Sequence, residues 1–118
     1  MVGAILGDIV GSVYEFSNIK TKDFPLFCQS SSYTDDSIMT IAVADWLLHK
    51  GDLAKVMQYY GKKYPCPMGG YGSSFVRWLN EEYPKPYNSW GNGSAMRVSP
   101  CLLYTSDAAD DMQCVDLG

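Results

Sequence analysis

Residues 38–50, IMTIAVADWLLHK, are apolar on nearly every side of a helical wheel, interrupted only by Thr40 and Asp45, and the run stops at Gly51. A helix with a single apolar stripe lies on a surface, whereas one that is apolar all round has to be enclosed. The segment therefore demands neighbours on several sides and sets the plan of the chain: a central helix with others packed about it. Thr34 suits an N-cap, Asp35 and Asp36 fall in the first turn and Ser37 at the third position, so the helix is expected to begin directly after Thr34.

The surrounding sequence supplies candidates for those neighbours. Residues 2–16 read as a buried helix, in which Gly3, Gly7 and Gly11 recur every four positions and bare one side of the backbone for a close helix contact. Each glycine costs roughly 1 kcal/mol of helix propensity. Residues 17–33 are polar, broken by Pro25 and without a period, as in a connection or lid. A helix follows in DLAKVMQYYGKKY, with Leu53, Val56, Met57 and Tyr60 on one face. After the glycine-rich PCPMGGYGS, the stretch SSFVRWLNEEY forms a short helix that turns Phe75, Trp78 and Leu79 inward, and SAMRVSP looks like a helix starting at Ser94. No convincing strand and no internal repeat occur, so the fold class is all-α.

Several function classes are disfavoured. A chain of 118 residues has room for one core. No apolar span approaches the roughly 20 residues of a membrane helix. The segment MVGAILGDIVGSVYEF lacks a basic region and carries Asp8 inside its apolar stretch, which argues against a signal peptide and for an intracellular, cytoplasmic protein. The four cysteines, at 28, 66, 101 and 114, lack metal-type pairing and are expected to be free thiols. His49, the single histidine, lies near a helix end and suits a capping or surface role, leaving little material for zinc or a Ser-His-Asp triad. Acidic and basic residues balance through Pro100; the excess acid comes from Asp107, Asp110, Asp111 and Asp116. No basic stripe tracks a phosphate backbone, so nucleic acid is not an expected partner.

Three stretches carry chemistry. Asp8 and Glu15 are seven apart, on nearly the same helical side as Gly11 and Ser12, and so either project into a cavity or serve as a cap and a solvated helix end. Thr34, Asp35 and Asp36 form an all-oxygen cluster suited to hard dications such as Mg²⁺ or Mn²⁺, although a helix start alone also favours acids. In PYNSWGNGSAMRVSP, Gly91 and Gly93 flank Asn92 and expose successive N–H groups before Ser94, either as an anion-binding loop or as a tight turn with a serine cap. GGYG at 69–72 reads as a hinge or loop rather than a binding cradle.

In this order, GAILGDIVGSVYEF, YTDDSIMTIAVADWLL and PYNSWGNGSAMRVSP resemble the amino-terminal part of the ADP-ribosylglycohydrolase family, over residues 1–100 almost continuously. The resemblance implies an all-α multi-helix fold of which this chain is an amino-terminal fragment, a site for two Mg²⁺ (or Mn²⁺) ions, and hydrolysis of the glycosidic bond between ADP-ribose and a modified protein or related acceptor. Residue by residue, Thr34, Asp35 and Asp36 match metal ligands, and Glu15 matches a glutamate that helps position water or substrate. Glu15, Asp35 and Asp36 are thus the implied catalytic set. Asp8 matches the acid of the first motif, as structural support. Gly91, Asn92, Gly93 and Ser94 match the loop that lies against ADP-ribose. Ser37 stands where threonine is frequent. Family members are much longer, and their remaining ligands come from a carboxy-terminal Asp-x-Asp-Thr-type motif, for which SDAADD arrives too soon.

Residues 101–118, CLLYTSDAADDMQCVDLG, resemble the translation of sequencing-adapter DNA. The chain therefore divides into a partial domain, 1–100, and an artefactual acidic tail, 101–118, and it is expected to be inactive by itself. The alternative is a small helical interaction or ADP-ribose-binding module without catalysis, in which the acids are caps.

Overall fold

The computed structural model describes residues 1–104 and is all-α. Its helices are α1 (Val2–Gly11), α2 (Asp35–His49), α3 (Leu53–Lys63), α4 (Ser73–Leu79), α5 (Gly93–Met96) and α6 (Ser99–Tyr104), with a 3₁₀ turn at Ser12–Tyr14 after α1. Among the described residues the only strand-like feature is an isolated parallel bridge between Thr34 and Met68.

Helix α2 is the central element, packed against α1, α3, α5 and α6. The Thr34 hydroxyl caps it by accepting the Asp36 N–H at 3.2 Å, and the helix ends where Lys50 and Gly51 adopt positive φ. Ile38, Met39, Thr40, Ala42, Val43 and Leu47 are buried, while Ile41 and Leu48 remain exposed, so enclosure is complete on all but one side. His49 is exposed and pairs with Asp45 at 2.7 Å.

The core around α2 has two parts. Ile38, Met39 and Ala42 pack with Met57 of α3 and with Trp78 and Leu79 of α4, and Leu53, Val56, Tyr60 and Phe75 flank them as the spacing predicts. Asp52 caps α3 by accepting the Ala54 and Lys55 N–H groups. Helices α3 and α4 meet closely because residue 61 is glycine; a Cβ there would stand 2.6 Å from Leu79 Cδ2. Trp78 stacks on Phe75 and satisfies its indole N–H on the Lys85 carbonyl. In the second part, Val43 and Leu47 pack with Cys101 of α6.

Two expectations about helices change. The segment 2–16 is not one buried helix. It breaks into α1 and the 3₁₀ turn, no residue of α1 is buried, and a Cβ at Gly3, Gly7 or Gly11 would meet nothing within 4 Å. Among the described residues the bare glycine side contacts no other helix; Gly7 and Gly11 form the wall of a cleft instead. The carboxy-terminal helix starts at Gly93 and breaks after Met96. A continuous helix would need an N–H from residue 100 to reach the Met96 carbonyl, and Pro100 has none. The Thr40 hydroxyl donates to that carbonyl instead, at 3.2 Å, and joins α5 to α2.

Cys28 and Cys66 are exposed free thiols as expected, whereas Cys101 is disulfide-bonded, contrary to expectation. Helix α6 runs across residue 100, and the tail residues 105–118 lie outside the described residues. No helix among the described residues is long and apolar enough to cross a membrane.

Candidate active site

The cleft is built on the junction between the first acidic motif and the start of α2. Asp8 receives three donors there: its Oδ2 accepts the Thr34 N–H at 2.9 Å and the Ser37 hydroxyl at 2.5 Å, and its Oδ1 accepts the Thr34 hydroxyl at 2.5 Å. Thr34 and Ser37 are buried. Their donors would otherwise be stranded, so Asp8 acts as a clamp that fixes the α2 amino terminus against α1. Ser12 strengthens the same junction by accepting the Ser32 N–H at 3.2 Å, and its hydroxyl donates to the Ile9 carbonyl.

With the helix start fixed in this way, Glu15, Thr34, Asp35 and Asp36 open onto one cleft of about 590 Å³. Asn92 and Met96 line it as well. Of the loop residues singled out in the sequence, Asn92 lines the cleft, while Gly91, Gly93 and Ser94 do not. Gly91 donates its N–H to Ser89 Oγ at 3.1 Å. The first intrahelical bonds of α5 are those of Ala95 and Met96 to the Asn92 carbonyl, which leaves the Gly93 and Ser94 N–H groups at the helix start.

Sequence reasoning missed the third wall. Gly69, Gly70, Tyr71 and Gly72 also line the cleft. The loop is drawn in by the Met68 N–H, which donates to the Tyr33 carbonyl at 3.2 Å beside the Thr34 bridge, and by the Tyr71 hydroxyl, which donates to the Tyr64 carbonyl at 2.9 Å. Gly69 and Gly70 both take positive φ, a conformation costly for other residues. The adjacent glycines were the available signal, but helical periodicity says nothing about which surface a loop meets.

The cleft is strongly acidic. Burial first, and the neighbouring Asp36 second, push the Asp35 carboxyl up to about 6, with Glu15 and Asp8 adding to the effect. Asp36 is raised by burial and then by the Asp8 and Glu15 charges. Tyr71 is pushed up to about 12 by burial and by Asp35. Among the described residues neither Asp35, Asp36 nor Glu15 forms an ion pair. Carboxylates gathered and partly desolvated without a counter-charge suit a hard cation in donor chemistry. Their number falls short, since among the described residues no three acidic, cysteine or histidine side chains converge to enclose an ion.

These features define a helical protein with an electron-rich oxygen cluster at the start of its central helix, facing a glycine-walled cleft. The chain belongs to the ADP-ribosylglycohydrolase family, whose model matches residues 1–117. It is 30% identical to the ADP-ribosylhydrolase ARH3 of Mus musculus, over 93% of this chain and 39% of the relative. It is also 30% identical to the ADP-ribosylhydrolase ARH3 of Gallus gallus, over 93% of this chain and 40% of the relative, and to that of Danio rerio, over 93% and 37%. The chain thus spans about two fifths of the length of these relatives. No solved structure matches it.

Proposed function

We propose that this chain carries the amino-terminal share of the site of a metal-dependent hydrolase that cleaves the glycosidic bond between ADP-ribose and a modified protein or related acceptor. The observation that carries the reading is the opening of Glu15, Thr34, Asp35, Asp36 and Asn92 onto one cleft. Thr34, Asp35 and Asp36 are the candidates for holding Mg²⁺ or Mn²⁺. Thr34 contributes an oxygen whose proton is already donated to Asp8, and the two aspartates contribute carboxylates that lack a counter-charge. When bound, such ions supply Lewis acidity and an oriented, acidified water. Glu15, which lines the same cleft, is assigned to hold or receive a proton from water or substrate. The loop of Gly91, Asn92, Gly93 and Ser94 is assigned to the diphosphate, and the presence of Asn92 in the cleft lining supports this.

Activity is assigned to the longer protein, because two carboxylates and a hydroxyl leave a dication too loosely held to place water to within roughly an ångström. We also take residues 101–118 as foreign to the natural sequence. Reading the uninterrupted coding sequence beyond Pro100 tests the division.

The functional test is ADP-ribose release from an ADP-ribosylated protein, with Mg²⁺ and after its removal, by this chain and by the uninterrupted protein. Release by the long form alone, lost with Mg²⁺, is expected. Release by neither length would overturn the hydrolase assignment and favour a binding module.

A further inference from the structure

The Gly69 backbone comes so close to Glu15 that a Cβ at position 69 would stand 3.1 Å from Glu15 Oε2 and 3.5 Å from the Phe16 ring. Such a distance is tighter than ordinary contact, so one side has to move. The loop is poorly placed to yield. It is tied to Tyr33 through the Met68 N–H, to Pro67 through the Gly70 N–H at 3.0 Å, and to Tyr64 through the Tyr71 hydroxyl. Glu15 is exposed, and among the described residues no hydrogen bond holds its carboxylate, so Glu15 is the side that yields.

We propose that Gly69 is a positioning residue for Glu15: the absence of a side chain at 69 lets the Glu15 carboxylate stand in the cleft beside Asp35 and Asp36. The inference rests on the functional reading of the cleft given above. Gly70 provides an internal control. It lines the same cleft and has φ +73, close to the +80 of Gly69, yet a Cβ there would meet nothing within 4 Å. Alanine at either position therefore meets similar backbone strain, but only Gly69→Ala displaces Glu15.

A double-mutant cycle in the uninterrupted protein separates the two effects. Gly69→Ala and Gly70→Ala are each made with Glu15 intact and with Glu15→Ala, and ADP-ribose affinity in Mg²⁺ and the melting temperature without ligand are measured. With Glu15 intact, Gly69→Ala weakens ADP-ribose binding roughly tenfold more than Gly70→Ala does, because sub-ångström displacement of a placed group is costly. With Glu15→Ala, the two alanine variants become equivalent in affinity and in melting temperature. An effect of Gly69→Ala that is undiminished by Glu15→Ala would mean backbone strain alone and would overturn the proposal. If the intact protein binds no ADP-ribose, the hydrolase reading fails while the melting cycle still decides the contact. Binding of ADP-ribose without coupling in either measurement removes the positioning role and leaves the functional reading standing.

Discussion

The Asp8 carboxylate holds Thr34 by two atoms at once, accepting its backbone N–H at 2.9 Å and its hydroxyl at 2.5 Å. One residue of α1 thereby sets both the position and the rotamer of the cap from which Asp35 and Asp36 project. The Ser37 hydroxyl on the same carboxylate makes the clamp three-pronged.

Removal of this clamp is expected to be felt as stability. Asp8→Ala strands two buried hydroxyls and an N–H, at a cost of about 2–4 kcal/mol. Asp8→Asn keeps one acceptor oxygen and should lose less. Denaturant unfolding of the two variants checks this order, and a loss under about 0.5 kcal/mol for Asp8→Ala would deny the clamp.

Asp35 gives a pH dependence with a definite sign. Its folded pKa of about 6 lies above an unfolded value of about 3.9. Below about pH 4 both states carry the proton and the associated stability is fully present. Between about pH 4 and 6 only the folded state retains it, so the stability of the metal-free protein falls as pH rises and levels off above. Asp36, also raised, acts in the same direction. Asp35 is only half-buried, so water screens the effect, and Asp35→Asn should flatten the profile and raise the melting temperature at pH 7 by a few degrees. Melting curves across this range decide it.

The cation reading predicts opposite signs for stability and binding. Asp36→Asn relieves repulsion in the metal-free protein, yet it should weaken Mg²⁺ or Mn²⁺ binding by the intact protein by at least roughly tenfold, as loss of a ligand does. Stabilisation by Mg²⁺ should also be larger at pH 8 than at pH 5, where protons compete for Asp35. Titration calorimetry and melting with Mg²⁺ at both pH values measure this. Equal Mg²⁺ effects at the two pH values would count against Asp35 as a ligand.

Thr40 links the two sides of the cleft. Its hydroxyl, on a residue only 2% exposed, supplies the Met96 carbonyl with the donor that Pro100 lacks. Thr40→Val should cost about 1–2 kcal/mol through the unpaired carbonyl, and Thr40→Ser less. Unfolding measurements on both variants test the bond.

Gly61→Ala is expected to reverse the usual effect of the change. Alanine within a helix normally gains about 1 kcal/mol over glycine. Here the added methyl would stand 2.6 Å from a Leu79 methyl, so the variant should be less stable by about 1–3 kcal/mol. In a Leu79→Ala background, itself less stable, the further loss caused by Gly61→Ala should largely vanish in the melting temperature.

The sequence determined a good deal of this protein. The apolar run after Asp36 required an enclosed helix, Thr34 is a cap in the expected place, and the inward faces of α3 and α4 follow from their spacing. These are local properties, because capping and helical periodicity depend on residues within a turn or two. The tertiary structure alone decided what the glycines do. Gly3, Gly7 and Gly11 have the spacing of a helix contact but leave their side open, while Gly69 and Gly70, legible only as a loop, wall the cleft and approach Glu15. A glycine has no side chain to declare its surroundings, so its role is set by whichever segment the rest of the fold brings against it. The break before α6 was likewise hidden, although Pro100 was in plain view, because the donor that replaces its missing N–H belongs to Thr40, far away in the chain.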